Sequence, residues 1–336
     1  MEKPNARRHP LQNVRAFRSA LLRWFGETAK SYPWRETTDP WKILVSEIML
    51  QQTTVTSVLA NRRFERFLDD FPNIEAIASA PEEKILRAWE GLGYYNRVRN
   101  LQQAARAVLE NFEGTFPVDA ATLATLPGIG RYTAGAVSSF AFDQPSPIVD
   151  GNIARVLSRI LDIHEPIDST GGQKRIWQAA GELLDHNNPR LFNSAIMELG
   201  QTLCTPRSPE CLICPVRDFC QTNSPADLPI KKPRKKFVAI EEHAFLHIQG
   251  GEILLTLGED SRRKGFWKLP LREAERCAHL EPASKHRYVI THHKVTLHLY
   301  RSDPGDLRDG EKYHPLTEVD SLPIATPIRK ILVAEH

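Results

Sequence analysis

Cys204, Cys211, Cys214 and Cys220 fall within seventeen residues in the spacing C-x6-C-x2-C-x5-C, and Cys277 is the only other cysteine of the chain. Four thiols this close are better explained by one metal centre than by two disulfides, because isolated cysteines rarely gather so tightly. Both an iron–sulfur cubane and a structural zinc take four cysteine ligands. The run has one close pair, Cys211 and Cys214, and two outlying ligands. It lacks the two CxxC knuckles common at zinc, which favours [4Fe–4S]. A cysteine-metal centre behind an N-terminus with no apolar run points to a reducing cytoplasm and to no membrane association.

At 336 residues the chain is long enough for two cores. With 41% hydrophobic and 25% charged residues, wholesale disorder is excluded, and a net charge of +3 permits local nucleic-acid binding patches without requiring them. Residues 13–220 read as mostly helical. Val14, Phe17, Leu21, Leu22 and Phe25 recur at helical spacing, as do Ile85, Leu86 and Trp89. Pro33, Pro40, Pro72, Pro81, Pro117, Pro127 and Pro147 cut this region into short helices. Residues 221–236, polar and basic with Lys231, Lys232, Arg234, Lys235 and Lys236, read as a linker that either tracks phosphates or is simply a solvated hinge. From 237 to 336 the period shifts to two, which predicts a small α+β domain. The run 288–300 alternates like one plain strand.

Three segments carry chemistry. LPGIGRYTAGAV (126–137) places a Pro-Gly-x-Gly turn between two helices. Gly128 and Gly130 let backbone amides approach a ligand, and the new helix's N-terminus adds a positive dipole, a geometry suited to a DNA phosphate. The segment, with Leu126 and Arg131, reads as a helix-hairpin-helix, the alternative being a plain turn. Glu47 has Ile43, Leu44 and Leu50 as its helical neighbours. A carboxyl on an apolar stripe is either satisfied by a buried arginine or desolvated, and desolvation raises its pKa toward that of a general acid. Asp150 lies where a proline-rich stretch meets a helix. There it, or Asn152, can cap the helix. Beside a protonated Glu47 it can instead be the ionised member of a pair suited to breaking a glycosidic bond.

PWR (33–35), SEIMLQQT (46–53), GLGYYNRVRNL (91–101), LPGIGRYTAGAV, VDGNIARVL (149–157), MELGQTLC (197–204) and the cysteine run together resemble the MutY adenine DNA glycosylases, of the helix-hairpin-helix base-excision superfamily. The resemblance runs almost continuously over 33–220. It implies a helical glycosylase domain with a [4Fe–4S] loop followed by a Nudix-like domain. It also implies a monomer that works in the cytoplasm at the nucleoid, on double-stranded DNA with adenine opposite 8-oxoguanine or guanine. On that basis Glu47 protonates the adenine, Asp150 stabilises the sugar cation, and Tyr132 and Asn152 support the intermediate. Arg35 and Glu198 line the base pocket, Gln52 and Tyr94 wedge into the duplex, and Leu126, Gly128, Gly130 and Arg131 meet the backbone. The endonuclease III relatives carry a lysine at the position of Tyr132, so base removal without efficient strand cleavage is expected.

The C-terminal part departs from the pattern. Where the family reads 8-oxoguanine with Phe-Ser-His, this chain has Ile290-Thr291-His292, so the hydroxyl and imidazole remain and the aromatic is lost. GFWKLPLREAE (265–275) resembles the family's Gly-Leu-Trp turn without a glutamate-rich Nudix box, and no pyrophosphatase activity is expected. His286, His292, His293 and His298 spread over both faces of the expected strand, which favours surface or packing roles over a metal site.

Overall fold

The computed structural model describes residues 13–233, 237–258, 265–290 and 292–335. It divides into two compact units. One takes the residues up to 78 together with 100–233, and the other takes 79–99 with the residues after 233.

The first unit is helical. Asn13 caps the helix Val14–Thr28 by accepting from the Ala16 amide at 2.9 Å, and Phe17, Leu21 and Phe25 turn its apolar stripe inward. They meet Ile153, Val156, Leu157 and Ile160 of the helix Gly151–Ile160 and Phe192, Ile196 and Leu199 of the helix Pro189–Thr202. Each such burial is worth roughly 1.5–3 kcal/mol against exposure. Pro40 starts the helix Pro40–Leu50, with Asp39 accepting from the Trp41 amide at 2.9 Å. That helix is buried from Ile43 to Met49, so it is apolar nearly all round, and Glu47 is its one buried charge.

The expected hairpin is present. Asp119 caps the short helix Ala120–Leu123, the chain turns through 126–130, and the helix Arg131–Phe142 follows with Gly130 at its cap. Gly128 has φ +72, and a Cβ there would fall 2.4 Å from the Asn100 side chain, so no other residue fits.

The second unit is α+β. Its strands are β1 (Val238–Phe245), β2 (Ile248–Gln249), β3 (Glu252–Leu257), β4 (Trp267–Lys268), β5 (Leu271–Arg272), β6 (Ser284–Ile290), β7 (His293–Tyr300) and β8 (Glu311–Pro315). One sheet has the order β5-β1-β7-β6, with β1 parallel to β7. The other has the order β2-β3-β4, with β8 also paired to β3. The helix Thr326–Glu335 closes the core through Ile328, Ile331 and Leu332. Residues 79–99, read from sequence as part of the helical region, pack within this unit: Tyr95 lies 4.0 Å from Phe266, ring to ring, and Glu90 pairs with Arg329.

The run 288–300 is not one strand. β6 ends at Ile290 and β7 starts at His293, and the two pair antiparallel with Ile290 opposite His293. Of the histidines there, His286 bonds Glu335 at 2.9 Å and His298 stacks on His243 with 4.9 Å between ring centres.

Candidate active site

A cavity of about 950 Å³ in the helical unit is lined by Arg35, Glu47, Gln52, Gly128, Gly130, Tyr132, Asp150 and Asn152, so eight of the residues singled out in the sequence share one space. Glu47 is 5% exposed, and its burial pushes the carboxyl up to about 7, with the Tyr132 hydroxyl donating to it in opposition and the Asp150 carboxylate adding to the rise. Its close partners are thus a phenol and another acid, and not the buried arginine that a purely structural glutamate needs. Tyr132 is held well above the ordinary tyrosine value by burial and by both carboxylates, so it stays a donor.

Asp150 does cap its helix. Its Oδ1 accepts from the Ile153 amide at 2.7 Å and its Oδ2 from Asn152 Nδ2 at 2.9 Å. Burial raises its pKa, but those N–H groups and the positive Arg155 pull it back. Glu47 has only a neutral hydroxyl in that role. The environments therefore favour a proton on Glu47 and a charge on Asp150. The close approach of the Asp150 helix depends on Gly200, where a Cβ would sit 2.8 Å from Asn152 Cβ.

Arg35 Nη2 pairs with Glu198 Oε2 at 2.7 Å, Nη1 donates to the Lys30 carbonyl at 2.8 Å, and the guanidinium lies over Phe25 and Tyr32. Glu198, 1% exposed, stands behind Arg35 instead of on the cavity wall, and its Oε1 is buried without a hydrogen-bond partner. Gln52 follows the Glu47 helix with φ +54, a left-handed conformation that costs energy for a side-chain-bearing residue. Lys30 also lines the cavity. Tyr132 removes an amine from the hairpin, but not from the cavity as a whole.

Other singled-out residues lie apart or serve differently. Leu126 is 4% exposed, so its side chain packs inward, and its amide donates to the Leu123 carbonyl at 3.2 Å. Arg131 is exposed, with its guanidinium 3.8 Å from the Trp177 ring centre. Tyr94 belongs to the second unit. It is 48% exposed with φ +48, which excludes a core role. His292 is exposed in the β6–β7 turn, 4.0 Å from the His293 ring, and Thr291 lies outside the described residues.

Two residues escaped the sequence reading. Arg155 and Arg159 lie one turn apart on the Asp150 helix, 7% and 1% exposed. Arg155 donates to Asn152 Oδ1 at 2.9 Å, to the Gly200 carbonyl at 2.6 Å and to the Cys204 carbonyl at 2.8 Å. Arg159 donates to Cys204 Sγ at 3.3 Å and to the Thr205, Pro206 and Leu228 carbonyls. Asp150, Asn152, Arg155 and Cys204 thus form one bonded chain. Burial and the three neighbouring thiols push Cys214 up to about 11, so four bare thiolates here are unfavourable without cations among them. Among the described residues no three or more Cys, His, Asp or Glu converge on a single ion position.

Residues 204–220 match the iron-sulfur binding domain of endonuclease III, and residues 45–179 match the HhH-GPD superfamily of base excision DNA repair proteins. The cofactor of the loop is accordingly a [4Fe–4S] cluster. The adenine DNA glycosylase of Mus musculus is 43% identical over 218 residues, covering 62% of this chain and 42% of its own length. The chain therefore spans less than half of that relative. The adenine DNA glycosylase of Buchnera aphidicola subsp. Baizongia pistaciae is 35% identical over 256 residues, 75% of this chain and 71% of that one. Among solved structures, a thermostable thymine-DNA glycosylase superposes with a TM-score of 0.57 at 29% identity, over 62% of this chain and 96% of that one. With relatives of this likeness spanning both the cavity and the cysteine loop, the chain belongs to the adenine DNA glycosylase family.

Proposed function

We propose that this protein hydrolyses the N-glycosidic bond of adenine mispaired with 8-oxoguanine, or with guanine, in double-stranded DNA, acting as a monomer in base-excision repair on cytoplasmic, nucleoid DNA. The observation that carries this reading is the convergence of Glu47 and Asp150 on one cavity with opposite hydrogen-bonding surroundings. The extruded adenosine costs a few kcal/mol to unstack, less at a mispair. Glu47 then gives its proton to a ring nitrogen, so that the base can leave as neutral adenine with the electrons of the C1′–N9 bond. Asp150 stabilises the positive charge left on the sugar, and Asn152 holds Asp150 in place. A water oxygen adds to C1′ and its proton passes to the Glu47 carboxylate, which restores the acid and leaves an abasic site.

The pairing of Arg35 with Glu198 supports adenine as the base. Adenine's outer edge presents an acceptor, N7, beside a donor, the N6 amino group. The Arg35 guanidinium on the cavity wall offers the donor, and Glu198 Oε1, buried and unpartnered behind it, is the acceptor that the amino group meets once the base seats. Gln52 and Tyr94 fill the space left in the duplex. The backbone at Gly128 and Gly130 and the side chain of Arg131 hold phosphate, and Thr291 and His292 read the opposing base.

The test is incubation with duplexes carrying A opposite 8-oxoguanine, A opposite guanine, or T opposite guanine, followed by analysis with and without alkali. Breakage at adenine that needs alkali is the expected result. Loss of thymine, or breakage without alkali, overturns the assignment.

A further inference from the structure

We propose that Arg190 is a positioning residue of the base pocket, holding the turn that carries Arg35. This rests on the adenine reading above. The Pro189–Thr202 helix presents Arg190, Ser194, Met197 and Gln201 to the cavity at helical spacing. It also grips residue 35 at two points. Glu198, inside the helix, takes the Arg35 guanidinium at 2.7 Å. Arg190, at the helix start, donates through Nη2 to the backbone carbonyls of Arg35 at 2.9 Å and Thr37 at 2.7 Å. The helix start is itself tied down, because the Arg190 amide donates to Asp143 Oδ1 at 3.2 Å.

The two grips do different work. The Glu198 bond sets where the guanidinium points, while the Arg190 bonds set where the short 3-10 turn Pro33–Arg35 lies relative to the helix. Arg35 has few other restraints on its backbone: its amide donates to the Tyr32 carbonyl at 2.8 Å within the same turn. Without Arg190 the turn can shift while the Arg35–Glu198 pair stays closed, carrying the donor–acceptor edge away from the base. Base selectivity is therefore the property Arg190 protects.

Arg190→Met keeps an unbranched stem and removes both bonds, and Arg190→Lys keeps a donor. Amide exchange in the free full-length protein gives a readout independent of any substrate. In Arg190→Met the amides of 34–39 exchange about tenfold faster, as expected when backbone restraints worth one or two hydrogen bonds are lost, and Arg190→Lys restores part of the protection. In single-turnover excision opposite 8-oxoguanine, the preference for adenine over a purine lacking the 6-amino group falls roughly threefold or more in Arg190→Met. Unchanged exchange across 34–39 overturns the proposal. So does a loss of rate that is equal for both bases, which marks general damage. A wild-type protein that releases no adenine opposite 8-oxoguanine or guanine refutes the functional reading instead, and the exchange arm still decides whether Arg190 holds the turn.

Discussion

The cavity of the helical unit and the β6–β7 turn of the second unit handle polar groups in opposite ways. In the cavity, Glu47 is 5% exposed, and its proton affinity is set by burial and by two named neighbours. In the turn, His292 is exposed, and its nearest aromatic neighbour is the His293 ring. Bond breaking needs a group whose protonation state is biased before substrate arrives, and burial is the largest cause of that bias at Glu47. Reading an opposing base needs a group that reaches out of the fold, so exposure there costs nothing. The expected consequence is that changes to the acid and the charge of the cavity act on rate, and those in the turn act on preference for the opposing base.

The largest effect belongs to Glu47. Glu47→Gln keeps the shape and removes the transferable proton, and single-turnover excision should fall by roughly 10²–10⁴-fold, the usual range for a general acid. Wild-type excision should also decline as pH rises through about 7, where Glu47 loses its proton. A loss below tenfold removes the contrast between the two regions.

The same residue carries a stability signature. Glu47 in the folded protein titrates near 7, above its ordinary 4.5, so the folded state binds the proton more tightly than the unfolded one. Stability is therefore lost as pH rises from about 4.5 to 7 and stays lost above, by up to about 3 kcal/mol at roughly 1.4 kcal/mol per pKa unit. Denaturant unfolding of Glu47→Gln against wild type should show the variant more stable at pH 8, with the gap closing near pH 4.5. A gap that is constant with pH refutes the buried-acid account.

Arg155 tests whether the cavity is held from outside. Arg155→Met cuts the bonds joining Asn152, Gly200 and Cys204. Excision should drop about 10–100-fold, as when a group orienting a reactive ligand is removed. Absorption near 400 nm reports whether the cluster survives. Lost activity with the cluster intact assigns the effect to Asp150 orientation.

What could be read in advance follows the range of the interaction. Glu47 was legible because its apolar neighbours lie within one helical turn, and Asp150 because a cap bonds residues only three positions on. Arg155 and Arg159 were not, because what buries them lies at 200–228, and no local pattern separates a buried arginine from a surface one. The β6–β7 turn was missed for a related reason. Alternation continues across Thr291-His292 without a glycine or proline, and only the pairing of Ile290 with His293 reveals the reversal. The place of 79–99 in the second unit likewise depends on Tyr95 meeting Phe266.

The smallest effect should come from that turn. His292→Ala removes an exposed imidazole whose backbone carbonyl, accepting from the Val238 amide at 3.0 Å, is retained. The fold should therefore be unaffected. On the proposed reading His292 bonds 8-oxoguanine, and one such bond is worth about 0.5–1.5 kcal/mol, so the preference for A opposite 8-oxoguanine over A opposite guanine should fall about two- to tenfold. The rate on A opposite guanine should stay within a factor of about two, because that substrate makes no use of the bond. A variant that slows both substrates alike would mean the turn acts on the chemistry itself. Burial would then no longer be what separates the two regions.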